Sequence, residues 1–234
     1  MSLTGEEIAA LALSARVSTV ATCAILPLGV ALAWLLARAE FRGKVLLDAL
    51  ISAPLVLPPV VTGYLLLRLL GRNGPVGRLL EDALGIRLAF TWQGAAIAAA
   101  VVSFPLLVRA SRVAIAAVDL RLEEAATTLG AGRMRVFFGV TLPLAWPGVI
   151  AGSVLAFARS LGEFGATITF AGNVVGETRT LPLAIYSYTQ VPGGEAPAMR
   201  LAALTVLLSV AALVASDLLE RRLAGGDQRH GRSP

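Results

Sequence analysis

The sequence predicts an all-α polytopic membrane protein. It has five transmembrane helices, the N-terminus outside and the C-terminus inside, and two short amphipathic helices between the third and fourth spans. Three observations carry this prediction. Of 234 residues, 56% are hydrophobic and only 15% charged, with a mean hydropathy of +0.77, too little polar surface to clothe a soluble domain. The apolar residues gather into charge-free runs at 17–37, 49–67, 88–108 and 136–158, each near the roughly 20 residues that cross a hydrocarbon core as helix. Between the third and fourth of these runs the chain turns polar over residues 119–130.

The spans are placed at about 14–38, 46–70, 88–112, 139–160 and 198–220. The first is a span rather than a cleaved signal: its apolar core is too long, and Arg38 stands where a small-residue cleavage site would be. The last has a shorter core, 201–216, but Arg200 and Asp217 at its ends can reach the interface. Two further apolar segments, 164–176 and 180–194, are too short to cross and are interrupted by Gly and Pro. They read as re-entrant or outer-surface elements covered by protein. One membrane domain thus occupies 1–224, and the polar stretch 225–234 is expected to be a disordered tail.

Orientation follows from the basic residues. With the N-terminus outside, inner segments hold twelve of the twenty Lys and Arg, among them Arg38, Arg42, Lys44, Arg109, Arg112, Arg121, Arg133 and Arg135. The excess of positive charge therefore lies inside.

Several function classes are excluded. The only Gly-Lys pair, Gly43-Lys44, has Arg38 where a phosphate-binding loop needs Gly, so ATP hydrolysis is not expected of this chain. Cys23 is the only cysteine and His230 the only histidine, which leaves no internal disulfide, no His-based metal site and no Ser-His pair within the membrane. No catalytic residue, metal or cofactor is expected. The pI near 10.3 does not signal nucleic-acid binding, because the arginines are scattered at span ends without a basic stripe interleaved with aromatics.

The polar stretch carries a pattern. Leu122, Ala125, Ala126 and Leu129 recur at i, i+3, i+4 and i+7, one apolar stripe on a short helix. Asp119 can cap its start, Glu123 and Glu124 sit near its positive end, and Gly130 offers a left-handed stop. Met134, Phe137 and Phe138 repeat the spacing once more, so the two amphipathic helices occupy about 119–138. Such a pair between spans is a docking surface for a soluble partner.

Two other segments bear on a substrate path. In the second span Pro54, Pro58 and Pro59 remove backbone donors just before Thr62, and the freed carbonyls must face protein or a water-filled cavity. A broken helix at mid-membrane is a transporter device; a merely irregular packed helix is the other reading. The second segment runs from Arg159 through Ser160, Gly162, Glu163, Gly165 and Thr167. Arg159 and Glu163, four apart, can pair on one helix face, either as a structural ion pair or as part of a gate. An anion should not meet a bare carboxylate, so Glu163 reads as a positioner. The hydroxyls of Ser153, Ser160, Thr167 and Thr169, with nearby glycine amides, suit an oxyanion better.

These motifs together resemble a known family. Glu124-Ala125-Ala126, Gly130, and then Val140-Thr141-Leu142-Pro143 are similar to the cytoplasmic loop of ABC importer permeases, with Val140 in place of the usual Ile. The resemblance implies that Leu122, Glu124, Ala125, Ala126, Leu129 and Gly130 form coupling helices fitting a cleft on an ATP-hydrolysing subunit. It extends to Leu55-Val56-Leu57-Pro58-Pro59-Val60-Val61-Thr62-Gly63-Tyr64, to the block from Ala156 to Thr167, and to Gly176-Glu177-Thr178-Arg179-Thr180-Leu181-Pro182. These look like the short, five-span permeases of molybdate importers. Sulfate permeases share the Leu161-Gly162-Glu163-aromatic-Gly165 block and stand as the alternative. An ATP-independent anion channel is the alternative of another class. The resemblance implies a homodimer in the bacterial inner membrane, two copies of an ATPase subunit carrying the ATP and Mg, and a periplasmic molybdate-binding protein. Pro54, Pro58, Pro59, Thr62, Ser160, Gly162, Glu163, Gly165 and Thr167 would line the translocation path.

Overall fold

A computed structural model describes residues 3–227; the part of the expected tail at 228–234 lies outside them. The first helix, α1 (Gly5–Arg38), opens with a capping box in which Thr4 and Glu7 each bond the other's backbone N–H. Then come α2 (Lys44–Val56), α3 (Pro59–Leu70), α4 (Pro75–Leu84) and α5 (Trp92–Ala116). The chain continues through α6 (Leu120–Thr128), α7 (Arg133–Val136), a π-helical turn at Phe137–Thr141, and α8 (Leu142–Leu161). Short α9 (Gly165–Phe170) and α10 (Leu181–Thr189) precede the final α11 (Glu195–Asp227). Among the described residues there is no strand, and four helical stretches are long and apolar enough to cross a membrane: Gly5–Arg38, Trp92–Ala116, Arg133–Leu161 and Glu195–Ala215.

A fifth apolar stretch, α2 with α3, passes the same test only when its two helices are taken together. α2 and α3 meet at 113°, a far sharper change than a kink. Leu57 ends α2, and Pro58 and Pro59, which lack N–H donors, start α3 as its cap and first residue. Pro54, by contrast, sits inside α2 without ending it.

Two further features differ from the sequence reading. The second amphipathic stretch is not a separate helix, because Arg133–Leu161 runs on as one. The π turn makes this possible: Leu142 N–H bonds back to the Phe137 carbonyl, taking up one extra residue just before Pro143, which the regular ladder would not accept so easily. The tail also begins later than expected, since residues 225–227 close α11.

The bundle is held by small residues. Four alanines of α5, Ala95, Ala96, Ala98 and Ala99, are buried against α1 and α9. A Cβ on Gly148 would lie 2.4 Å from the Ala114 Cβ, and one on Gly152 would lie 2.8 Å from the Ala110 Cβ. These glycines, four apart on α8, bring it close to α5, as small residues do where lipid gives helices no hydrophobic reason to associate. At the end of the bundle away from α6, polar contacts tie the ends together. Ser14 Oγ accepts the Leu181 N–H at 2.6 Å, and buried Glu7 pairs with Arg200 of α11.

Candidate functional site

Two places gather the residues singled out in the sequence. The first is α6. Asp119 caps it, its carboxylate accepting the Arg121 N–H at 2.9 Å, and Gly130 follows at φ +86°, a conformation that costs a residue with a Cβ about 1–2 kcal/mol. None of its residues is buried. Leu122 stands exposed and Leu129 is 90% exposed, while Ala125 and Glu124 are also open to solvent and Ala126 is partly covered. The helix thus leaves its apolar stripe bare outside the bundle. Met134 and Phe138, on the first turns of the following long helix, are exposed as well.

The adjacent glutamate points the other way. Arg38, the last residue of α1, donates to Glu123 Oε1 through Nε at 3.1 Å and Nη2 at 2.8 Å. The Thr141 hydroxyl donates to the same oxygen at 2.9 Å. Reading the sequence did not bring Arg38, Glu123 and Thr141 together. The signal available was that two adjacent glutamates lie about 100° apart on a helix, so only one can share the exposed stripe.

The second place is where α3 packs on α9, and it joins the two segments chosen for the substrate path. A Cβ on Gly63 would lie 2.7 Å from the Ala166 carbonyl oxygen; one on Gly165 would lie 2.8 Å from the Pro59 Cβ. Each helix thus contributes one glycine to let the other's backbone in. Thr62 and Thr167 are buried here, and the Thr62 hydroxyl has no partner among the described residues. Ser160 is buried and donates to Ser103 Oγ at 3.0 Å. Ser153 and Thr169 donate to the Val149 and Gly165 carbonyls of their own helices. Gly162 and Pro58 are exposed, and Pro54 and Pro59 partly so.

Glu163 is 2% exposed. Its Oε2 pairs with Arg159 at 2.8 Å, and its Oε1 accepts the Ala166 N–H at 2.8 Å. One carboxylate therefore ties the end of α8 to the start of α9, so it fixes the path of the chain through the sharp corner at Gly162. Phe164 packs on Tyr186 with the rings tilted by 54° and their centres 5.3 Å apart, which seats α10 beside the same corner.

Cys23 lies exposed on α1, in an apolar groove of about 420 Å³ shared with Trp146 and Val149 of α8. Cys23→Ser is expected to keep both the thermal midpoint and uptake within about two-fold of wild type, the scale of an ordinary surface change. Complete loss of uptake at normal expression would show that the thiol has a function of its own.

The fold and these two places define a class: a helical membrane domain with an apolar helix pair bent at its prolines and a short helix left exposed outside the bundle. The chain belongs to the family described as binding-protein-dependent transport system inner membrane components, whose profile matches residues 25–225. It is an inner-membrane permease. Among its relatives, the molybdenum transport system permease protein ModB of Escherichia coli K12 is 57% identical over 221 residues, 94% of this chain and 96% of that protein. ModB of Haemophilus influenzae is 52% identical over 217 residues, 93% and 95% of the two chains. Solved structures share the fold at low identity. A chain of an inward-facing MetNI methionine ABC transporter superposes with a TM-score of 0.68 at 18% identity, covering 93% of this chain and 94% of that one. A chain of a bacterial alginate ABC transporter gives 0.74 at 17%, covering 94% and 80%.

Proposed function

We propose that this chain is the permease subunit of an ATP-driven importer that moves molybdate, and its isostere tungstate, into the cytoplasm. It works as a homodimer with two copies of a separate ATP-hydrolysing chain, which carry the ATP and Mg, and with a periplasmic molybdate-binding protein. The observation that carries the reading is likeness over nearly the full length of both chains to proteins named for molybdenum transport. The bare stripe of α6 supports the ATPase partner, and the exposed apolar faces of α2 and α3, from Val45 to Leu69, support a second copy.

In this reading α6 lies in the cytoplasm and the N-terminus outside. ATP closes the ATPase dimer and draws the two α6 helices together, the permease pair opens outward, and the binding protein releases its dianion between the two copies. Hydrolysis restores the inward-facing state. Tight selection belongs to the binding protein, since a permease that gripped the anion could not let it go. The α3–α9 junction, with its paired glycines and its carboxylate held by Arg159, gives the path a fixed wall rather than a high-affinity site.

The test is cellular molybdenum and sulfur uptake in a strain lacking this chain, at limiting molybdate and then at limiting sulfate. The expected result is loss of molybdenum accumulation alone, restored by the chain. Loss of sulfate uptake would favour a sulfate permease, and uptake restored without any ATPase chain would favour a channel.

A further inference from the structure

α6 buries none of its residues, yet the transport cycle needs it to pass displacement to the spans. Its side-chain attachment to them converges on one carboxylate. Arg38 closes α1 and binds Glu123 Oε1 twice, and its Nη2 also donates at 2.9 Å to the carbonyl of Val118, just past α5. Thr141, fully buried at the end of the π turn that leads into α8, donates to the same Oε1. The Arg38 and Glu123 side chains are each 16% exposed, so these charge-assisted bonds lie partly out of water, where they are stronger. Directly alongside, Trp34 of α1 packs on Phe137 of the π turn at 4.7 Å between ring centres. Glu123 is thus held by residues from the ends of α1 and α8, through an arginine that also grips the end of α5. The carboxylate of its neighbour Glu124 is exposed, on the side where the apolar stripe is bare.

From this geometry we infer that Glu123 and Arg38 are positioning residues of the transport cycle. They form a strut that makes α1, α5 and α8 move with α6, while Glu124 serves the partner chain. The inference rests on the reading of this chain as an ATP-driven permease. The two glutamates then have separable roles: Glu124 in binding the ATPase, Glu123 in converting its motion into opening of the permease.

The experiment uses the permease co-expressed with its ATPase chain, reconstituted in liposomes with the molybdate-loaded binding protein. Three quantities are read: ATPase retained on the purified permease, ATP hydrolysed, and molybdate taken up. For Glu123→Gln and Arg38→Gln, the ATPase should still co-purify while uptake per ATP falls about ten-fold, within the usual range of a coupling effect. The charge exchange, Arg38→Glu with Glu123→Arg, should recover part of the loss, which a merely structural defect would not. Should either single variant fail to insert, Thr141→Val removes one hydrogen bond only and should lower uptake per ATP by about five-fold, the lower end of the same range. Unchanged uptake per ATP in every variant that inserts overturns the strut. Loss of the ATPase from the Glu123→Gln permease overturns it too, by making Glu123 a docking residue. If the wild-type chain brings down no ATPase at all, the permease reading falls and the strut falls with it.

Discussion

Gly63→Val is expected to abolish uptake and to destabilise the protein by about 3 kcal/mol, the upper end of the overpacking range. The reason is what surrounds the missing side chain. A Cβ at this position would sit 2.7 Å from the Ala166 carbonyl oxygen, 2.9 Å from the Ala166 Cα and 2.8 Å from the Thr169 Cβ. Two of these three atoms are backbone and cannot rotate away. α3 must then lift off α9, which carries with it the corner that Glu163 holds through Arg159 and the Ala166 N–H. Gly63→Ala should show the same defect in smaller degree, because the first clash is already with the Cβ. Gly5→Val is the matched control, since nothing lies within 4 Å of its Cβ direction. Thermal midpoints in detergent and molybdate uptake in cells check the series; a Gly63→Val protein with wild-type values in both would show that α3 and α9 are not packed as described.

Much of this arrangement was legible in the sequence, and the parts that were not share a cause. The long apolar runs needed only composition and length; three of the four fall largely in long helices, and 49–67 falls in the bent pair α2 and α3. The cap at Asp119 and the left-handed Gly130 were readable because both depend on neighbours within a few residues. α4 carried such signals as well, with Pro75 opening it after Gly74 and Gly85 closing it at φ +66°, and these went unused. The 113° break between α2 and α3 could be expected as an interruption from its prolines, but its angle is set by α9 packed against Pro59 and Gly63. Likewise, nothing local says which of Glu123 and Glu124 turns inward. Arg38, 85 residues away, decides it. The run-on of α7 into α8 was hidden because a π turn leaves no composition signal.

Glu124→Lys and Gly130→Val are each expected to lose the ATPase from the purified permease and to remove uptake in cells, with expression and membrane insertion unchanged. Glu124 stands exposed beside Leu122, Ala125 and Leu129 on a helix with no buried residue, so replacing it disturbs nothing inside the bundle. A reversed charge at the centre of an interface weakens binding by roughly thirty-fold or more when the position is a hot spot. Gly130 acts differently. Nothing lies within 4 Å of its Cβ direction, yet its φ is +86°, so a β-branched residue meets no clash and instead strains the backbone. The strain is relieved by re-aiming the 129–132 loop, which displaces Leu129 and so breaks up the bare stripe that the ATPase would bind. Gly130→Asn separates conformation from size: asparagine tolerates the left-handed region, so it should retain the ATPase and most uptake where valine does not. Wild-type uptake from both Glu124→Lys and Gly130→Val would mean that the ATPase docks elsewhere. A Gly130→Asn protein as defective as the valine variant would mean that the loop needs the glycine for close approach of a partner, rather than for its turn.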